Sequence, residues 1–346
     1  MVDDPSRRLE RAVRPNFYTV IEIIQYHPII DRVSYRTICR EWREAVDASY
    51  FRATPRQLNE FLRVCVDRRI DPGPILRGIR KGFKLYEEFE LDANSFCRST
   101  SQRLLKLVWY ENRRLRCLKL DLSRMRLEME PLLETPSLEV FDITIRDMDI
   151  DFLAEVVGRA GMRNLKSFTL TVEMANRGRR YIQFNLRNLL RALPETLGSL
   201  RIDCFHVFEA VELFQCIARF QELENLWLDS RRERTPNYVS DRGWNCENLR
   251  AVIRGSWSRT LKSLHIGWLP DSWEWRVLYD LRELEELYIC GIRSNLLHPI
   301  WRRNFESQMK RNNPRLADGC FYVEASPPVG NYEDEGYMEF LRRHRV

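Results

Sequence analysis

The chain has 346 residues, of which 44% are hydrophobic, 11% aromatic and 31% charged; this composition excludes global disorder and supplies enough apolar residues for a sizeable core. The net charge of +6 comes from 56 basic and 50 acidic residues, an excess too small to indicate a nucleic-acid-binding protein by itself. No signal-peptide pattern and no run of about 18 apolar residues occurs, so we expect a soluble protein of the cytoplasm, the nucleus or both.

The N-terminal part predicts a flexible stretch followed by a small helical module. Residues 1–14 are highly charged and are predicted to be flexible. Residues 15–50 carry three short apolar patterns at helical spacing, with Pro28 ending the first and Asp31 able to cap the second. Because so short a segment cannot bury much surface alone, such a module usually leaves an apolar face for a partner.

Residues 15–50 resemble an F-box, the module that docks a family of proteins on a ubiquitin-ligase adaptor. The resemblance rests on the opening Pro15 with the apolar helix after it, and on the phrase ICREWR at residues 38–43, similar to the family's V-C-R-x-W phrase. It implies binding to a Skp-type adaptor, which links the protein to a cullin scaffold. The residues implied to contact the adaptor are Pro15, Val20, Ile23, Ile24, Ile38, Cys39 and Trp42. The alternative is a plain helical cap, since repeat arrays need their ends covered.

Residues 51–85 are predicted to form a helical linker, with two apolar helical patterns on either side of Pro72–Pro74. A rigid linker would hold a substrate at a fixed distance from the ubiquitin-loading enzyme.

Residues 86–325 repeat one phrase, in which an apolar residue is followed by further apolar residues three and five positions later. The last two apolar positions alternate with polar ones, as in a strand with one buried face. Patterns of helical spacing, such as Leu186, Leu189 and Leu190, lie between the phrases, and this alternation predicts an α/β fold with parallel strands. Residues 321–323 are predicted to form a closing strand, and the phrases themselves begin at Tyr86, Leu115, Leu138, Leu165, Leu197, Leu223, Leu261 and Leu284.

The phrases resemble the leucine-rich-repeat family in its irregular, helix-containing variety. Their starts are 23 to 38 residues apart, and the family's usual Asn or Cys three residues after the last strand leucine is replaced, for example, by Ser123 and Arg231. The resemblance implies a solenoid with a parallel strand ribbon over residues 86–325, with residues 326–346 as a C-terminal tail. The alternative is an ordinary α/β core.

An F-box followed directly by leucine-rich repeats is itself a family architecture. It implies a substrate-recognition subunit of a Skp-cullin-F-box (SCF) ubiquitin ligase, in which the repeats hold a protein substrate for ubiquitination. The alternative is a repeat scaffold that binds protein or RNA without a ligase role. On either interpretation we expect the protein to have no catalytic activity of its own.

The polar positions of the predicted strands form a candidate substrate surface, because they face away from the buried side. Each of the eight phrases supplies three such positions, 24 in all. Eight of them are acidic and two are basic, which favours a basic or neutral substrate segment. Arginine clusters in two long gaps, around Arg179 and Arg232, favour a phosphorylated substrate, or less readily RNA. A merely solvated surface is the alternative. The candidate substrate-binding residues are Asp142, Arg201, Trp227, Asp229, His265 and Tyr288.

Cysteine and histidine spacing gives no sign of a metal, a cofactor or catalysis. The nine cysteines contain no C-x-x-C pair, which argues against zinc and against a disulfide framework and favours a reducing compartment. None of the five histidines has a metal-spaced partner, and no nucleophile or phosphate-loop signature occurs.

Overall fold

The chain divides into two compact units, residues 1–138 and 139–346. The computed structural model describes residues 20, 23–24, 27, 32, 35, 38, 40–50, 64, 88–95, 98–99, 101–102, 105–106, 115–126, 128–129, 137–146, 149–173, 179–204, 211–229, 253, 256–267, 278–292, 299–316 and 320–325.

The first unit contains helix α1 (Arg40–Tyr50) and the parallel strands β1 (Glu88–Asp92) and β2 (Cys117–Asp121). The two strands pair in register, so that the inward side chains of one strand lie beside those of the other. Both strands alternate buried positions with exposed or half-buried ones, which is the period that the apolar phrase predicted.

The second unit is a ribbon of parallel strands that follow one another in chain order, with helices between several of them. Strictly sequential parallel strands need a crossover on one side each time, and the helices provide it where they are described. The strands are β3 (Val140–Arg146), β4 (Ser167–Glu173), β5 (Ser199–Asp203), β6 (Asn225–Asp229), β7 (Ser263–Gly267), β8 (Glu286–Ile292) and β9 (Phe321–Ala325). The helices are α2 (Ile150–Ala160), α3 (Arg179–Ala192), α4 (Val211–Ile217) and α5 (Pro299–Asn312).

One face of the ribbon forms the core of the second unit. The apolar residues of each phrase are buried, as in the phrase that enters β4, where Leu165, Phe168 and Leu170 are at most 1% exposed. Phe141 and Phe168, from neighbouring strands, pack with their ring centroids 5.8 Å apart. Each fully buried side chain of this size contributes roughly 1.5–3 kcal/mol, so the repeated phrase is what holds successive strands together.

A repeated backbone hydrogen-bond pattern fixes the register at the start of the strands. The carbonyl of Glu139 accepts hydrogen bonds from the amides of Lys166 and Ser167, at 2.8 and 2.9 Å. The carbonyl of Lys166 accepts in the same way from Gly198 and Ser199, and the pattern continues to β8 through the carbonyls of Gly198, Glu224 and Lys262. Each strand therefore begins at the same level as the strand before it.

The predicted α/β fold with parallel strands is confirmed, since every phrase coincides with a strand. The three-helix arrangement in residues 15–50 stays a prediction. Among the described residues of that segment, the structure gives the bounds of one helix, α1. Residues 1–14, most of 51–85 and the tail 326–346 lie outside the described residues. None of the described helices combines the length and the hydrophobicity that a membrane span requires.

Candidate functional site

Four residues of the predicted substrate surface form a continuous row across β5 to β8. Arg201, Trp227, His265 and Tyr288 occupy the same register position on successive strands. Because neighbouring parallel strands are about 4.8 Å apart, planar side chains at one register position can lie face to face. We call these four residues the stacked row.

The side chains of the stacked row pack plane against plane. The Arg201 guanidinium carbon lies 4.2 Å from the centroid of the Trp227 ring. The Trp227 and His265 rings are 3.4 Å apart with planes 7° from parallel, and the His265 and Tyr288 rings are 4.3 Å apart with planes 6° from parallel. A cation over a tryptophan face is the most favourable cation–π arrangement.

Exposure falls along the stacked row. Arg201 and Trp227 are half-buried, whereas His265 and Tyr288 are each 1% exposed. The Asp229 carboxylate is also buried, and its Oδ2 lies 3.4 Å from His265 Nε2. The expectation that all these side chains face open solvent was therefore wrong for His265, Tyr288 and Asp229. For His265 the reason is that a ring is stacked on each of its faces, which leaves little of it to expose. The accessible end of the row is Arg201 with Trp227.

The Arg201 guanidinium has no hydrogen-bond or ion-pair partner among the described residues, and its Nε atom is fully buried. Arg146, on the same face at the end of β3, differs in that its Nε lies 3.6 Å from a carboxylate oxygen of Asp149. Buried polar groups in proteins are nearly always paired. Since Arg201 is only half-buried, a ligand at this face could pair with the rest of its guanidinium.

The remaining predicted residue, Asp142, does not join the stacked row. It is half-buried on β3 and in register with Thr169 of β4, which is in turn in register with Arg201. One strand thus separates Asp142 from the row. Asp203 lies on the same face of β5, two residues after Arg201, so the open end of the row has acidic neighbours.

The predicted adaptor-binding residues separate into buried and exposed groups. Val20 and Ile24 are at most 1% exposed, whereas Ile23 is 43% and Ile38 56% exposed. Trp42 is half-buried. Pro15 and Cys39 lie outside the described residues.

Aromatic packing surrounds Trp42. Its ring lies 5.6 Å from that of Tyr35, and Tyr35 meets the His27 ring edge-on at 5.2 Å. The Arg32 side chain donates a hydrogen bond to the His27 carbonyl at 2.8 Å. These contacts hold Trp42 in place while leaving part of it accessible.

Asn94 is a structural residue that the sequence analysis missed. Its side-chain amide donates to Asp121 Oδ1 at 2.7 Å and to Ser123 Oγ at 3.0 Å, and its Oδ1 accepts from the Arg124 amide at 2.8 Å. It ties the turn after β1 to the turn after β2. The sequence feature that could have identified Asn94 is its position three residues after Leu91, where the leucine-rich-repeat pattern has Asn or Cys.

The described residues contain no group of three or more His, Cys, Asp or Glu side chains placed to hold a metal ion. A scan against models of known protein families and a search of curated proteins both found no match.

Proposed function

We propose that the protein is the substrate-recognition subunit of an SCF ubiquitin ligase, with an F-box in residues 15–50 and a leucine-rich-repeat solenoid in residues 86–325. The F-box docks on a Skp-type adaptor and through it on a cullin, in the cytoplasm or nucleus. The repeats hold a protein substrate. The observation that carries the proposal is the exposure of two isoleucines, Ile23 and Ile38, in the segment whose sequence resembles an F-box.

Two exposed isoleucines and a half-buried tryptophan in the same segment favour a protein partner. Ile23 and Ile38 leave 43% and 56% of their surface in water, and burying a whole isoleucine side chain contributes roughly 1.5–3 kcal/mol. Trp42 is half-buried and packs on Tyr35, and aromatic residues are enriched at protein interfaces. Val20 and Ile24 are buried within the protein and are not available to a partner.

The repeat region suits a receptor because successive strands place side chains side by side on one face, where a substrate can contact several of them. The polar face from β3 to β6 is half-exposed, with Asp142, Arg201 and Asp203 on it. The protein performs no reaction in this role. It raises the local concentration of a substrate lysine near the ubiquitin carried by the ligase, which is an effective-concentration mechanism.

Capture of a Skp-type adaptor tests the proposal. The full chain is co-expressed with the adaptor, and the adaptor recovered per receptor is compared for wild type, Ile23→Asp/Ile38→Asp and Ile300→Asp. Ile300 is 60% exposed on α5, so its variant is a matched control for a charge placed on an exposed isoleucine. Ile24 is unsuitable for this purpose, since it is fully buried and an aspartate there would unfold the module.

We expect the double variant to recover at least about ten-fold less adaptor than wild type, because two charges enter an apolar interface. Ile300→Asp should recover as much adaptor as wild type. Equal capture by all three proteins would contradict the proposal. Failure of folded wild type to capture any adaptor would favour the alternative, a repeat scaffold that binds protein or RNA without a ligase role.

A further inference from the structure

We propose that the Arg201–Trp227 end of the stacked row binds an oxyanion, a phosphate or carboxylate group, carried by an extended segment of a protein partner. That the partner is a ubiquitination substrate rests on the proposed function; the anion site itself does not. Three observations lead to it: an arginine without a partner, a tryptophan that fixes it, and acidic surroundings that limit what the ligand can be.

The unsatisfied donors of Arg201 are the first observation. Its guanidinium has no hydrogen-bond or ion-pair partner among the described residues, although its Nε atom is fully buried. A guanidinium carries five N–H donors and stays charged at all physiological pH values. Because the side chain is only half-buried, an anion arriving at the strand face can reach the terminal Nη donors, for which the described residues supply no acceptor.

The second observation is that Arg201 is already held in position. Its guanidinium carbon lies 4.2 Å from the Trp227 ring centroid, and the other face of Trp227 is stacked on His265 at 3.4 Å. A planar guanidinium presents its donors as a fork that matches two oxygens of a carboxylate or phosphate. Since the fork is ordered before binding, little side-chain freedom is lost when the anion binds.

The acidic surroundings are the third observation, because they limit the ligand to a single anion. Asp142 and Asp203 lie on the same half-exposed face, and they repel a polyanion such as RNA. The ligand that fits is therefore a phosphorylated or acidic residue with neutral or basic neighbours in a protein segment.

Peptide arrays test this proposal with the purified full chain. Peptides with randomised neutral and basic flanks carry phosphoserine, phosphothreonine, glutamate or serine at the centre, and the strongest binders are titrated by fluorescence anisotropy. Inorganic phosphate serves as a competitor, and a fluorescent single-stranded RNA as a separate probe. The variants are Arg201→Gln, Arg201→Lys and Trp227→Phe, with Arg187→Gln as the matched control, since Arg187 also lies over an aromatic ring, that of Phe184, at 4.9 Å.

We expect saturable binding of a phosphorylated or glutamate-centred peptide at least ten-fold tighter than of its serine counterpart, and competition by inorganic phosphate only if the phosphorylated peptide binds. Arg201→Gln should weaken this binding by roughly ten- to a hundred-fold, the loss typical of a charged hydrogen-bonded pair. Arg201→Lys should lose less than Arg201→Gln, because the charge remains, and Arg187→Gln should bind as wild type.

The proposal is overturned if no anionic peptide exceeds its serine counterpart, if Arg201→Gln binds as wild type, if Arg187→Gln loses as much as Arg201→Gln, or if the RNA binds and the peptides do not. Thermal melting followed by circular dichroism confirms that each variant is folded. Adaptor capture by Arg201→Gln should equal that of wild type, so that failure of the anion site and failure of the ligase role give separate readouts.

Discussion

Trp227 and His265 stand on neighbouring parallel strands with their ring centroids 3.4 Å apart and their planes 7° from parallel. They are 38 residues apart in the chain, and the closeness follows from the common register of β6 and β7. The stack continues to Arg201 on one side and to Tyr288 on the other. Three aromatic rings and a cation thus pack against one another. A substitution at the centre of the row should therefore alter the packing of Arg201 and Trp227 at its accessible end.

His265→Ala should destabilise the protein by about 2–3 kcal/mol, because it leaves a gap between two stacked rings and removes the contact with Asp229. Urea denaturation measures the loss. Thr169→Ala is the matched control, since Thr169 occupies the same register position on β4 without belonging to the stack, and it should cost less than about 1 kcal/mol. A loss from His265→Ala no larger than that from Thr169→Ala would show that the stack contributes little.

Two glycines of the same helix should respond to alanine in opposite directions. Gly158 lies inside α2, and a methyl group there would meet Ala192 Cβ at an ordinary 3.6 Å, so Gly158→Ala should stabilise the protein by about 0.5–1 kcal/mol. Gly161 ends the helix with φ +54° and donates its amide to the Val157 carbonyl, so Gly161→Ala should destabilise it by about 1–2 kcal/mol.

Thermal melting of the two variants side by side gives the sign for each. Shifts in the same direction would contradict the assignment of Gly161 as a left-handed helix cap, because space alone does not hinder a methyl group there.

The sequence predicted backbone architecture better than side-chain arrangement, for a physical reason. Phe168, Leu170 and Val172 are buried because a strand sends alternate residues to one face, and that period can be seen in the sequence. The same period predicted that Trp227 and His265 occupy equivalent positions on their strands. Whether two such rings stack depends on their side-chain rotamers, which cannot be deduced from residue spacing.

Burial at the candidate sites also depended on packing that the sequence does not display. Ile23 and Ile24 are adjacent and equally apolar, yet the first is 43% exposed and the second fully buried. Asn94 could be recognised only as an asparagine at the right distance from a leucine, since its partners Asp121 and Ser123 are about one repeat away.

Asn313 connects the end of α5 with the segment that precedes β8. It is fully buried; its Oδ1 accepts a hydrogen bond from the Leu284 amide at 3.0 Å, and its Nδ2 donates to the Met309 carbonyl at 3.1 Å. Asn313→Ala leaves the buried Leu284 amide without that acceptor, and the expected loss of stability is about 1–3 kcal/mol. Asn304→Ala, at an exposed position of the same helix, should change the urea midpoint little. Similar losses from both variants would mean that the buried hydrogen bonds do not matter.

Removing the acidic charges beside the stacked row should weaken binding of peptides with basic flanks without affecting neutral ones. Asp142→Asn/Asp203→Asn removes two carboxylates from a half-exposed face, and surface pairs of this kind contribute about 0.2–1 kcal/mol each, so we expect a loss of roughly two- to thirty-fold. Anisotropy titrations at low and high ionic strength should show the loss shrinking with added salt, because salt screens exposed charges. Asp280→Asn removes an exposed carboxylate from a turn before β8 and is the control. An equal loss from Asp280→Asn, or an equal loss for neutral and basic peptides, would show that the face has no preference for positive charge.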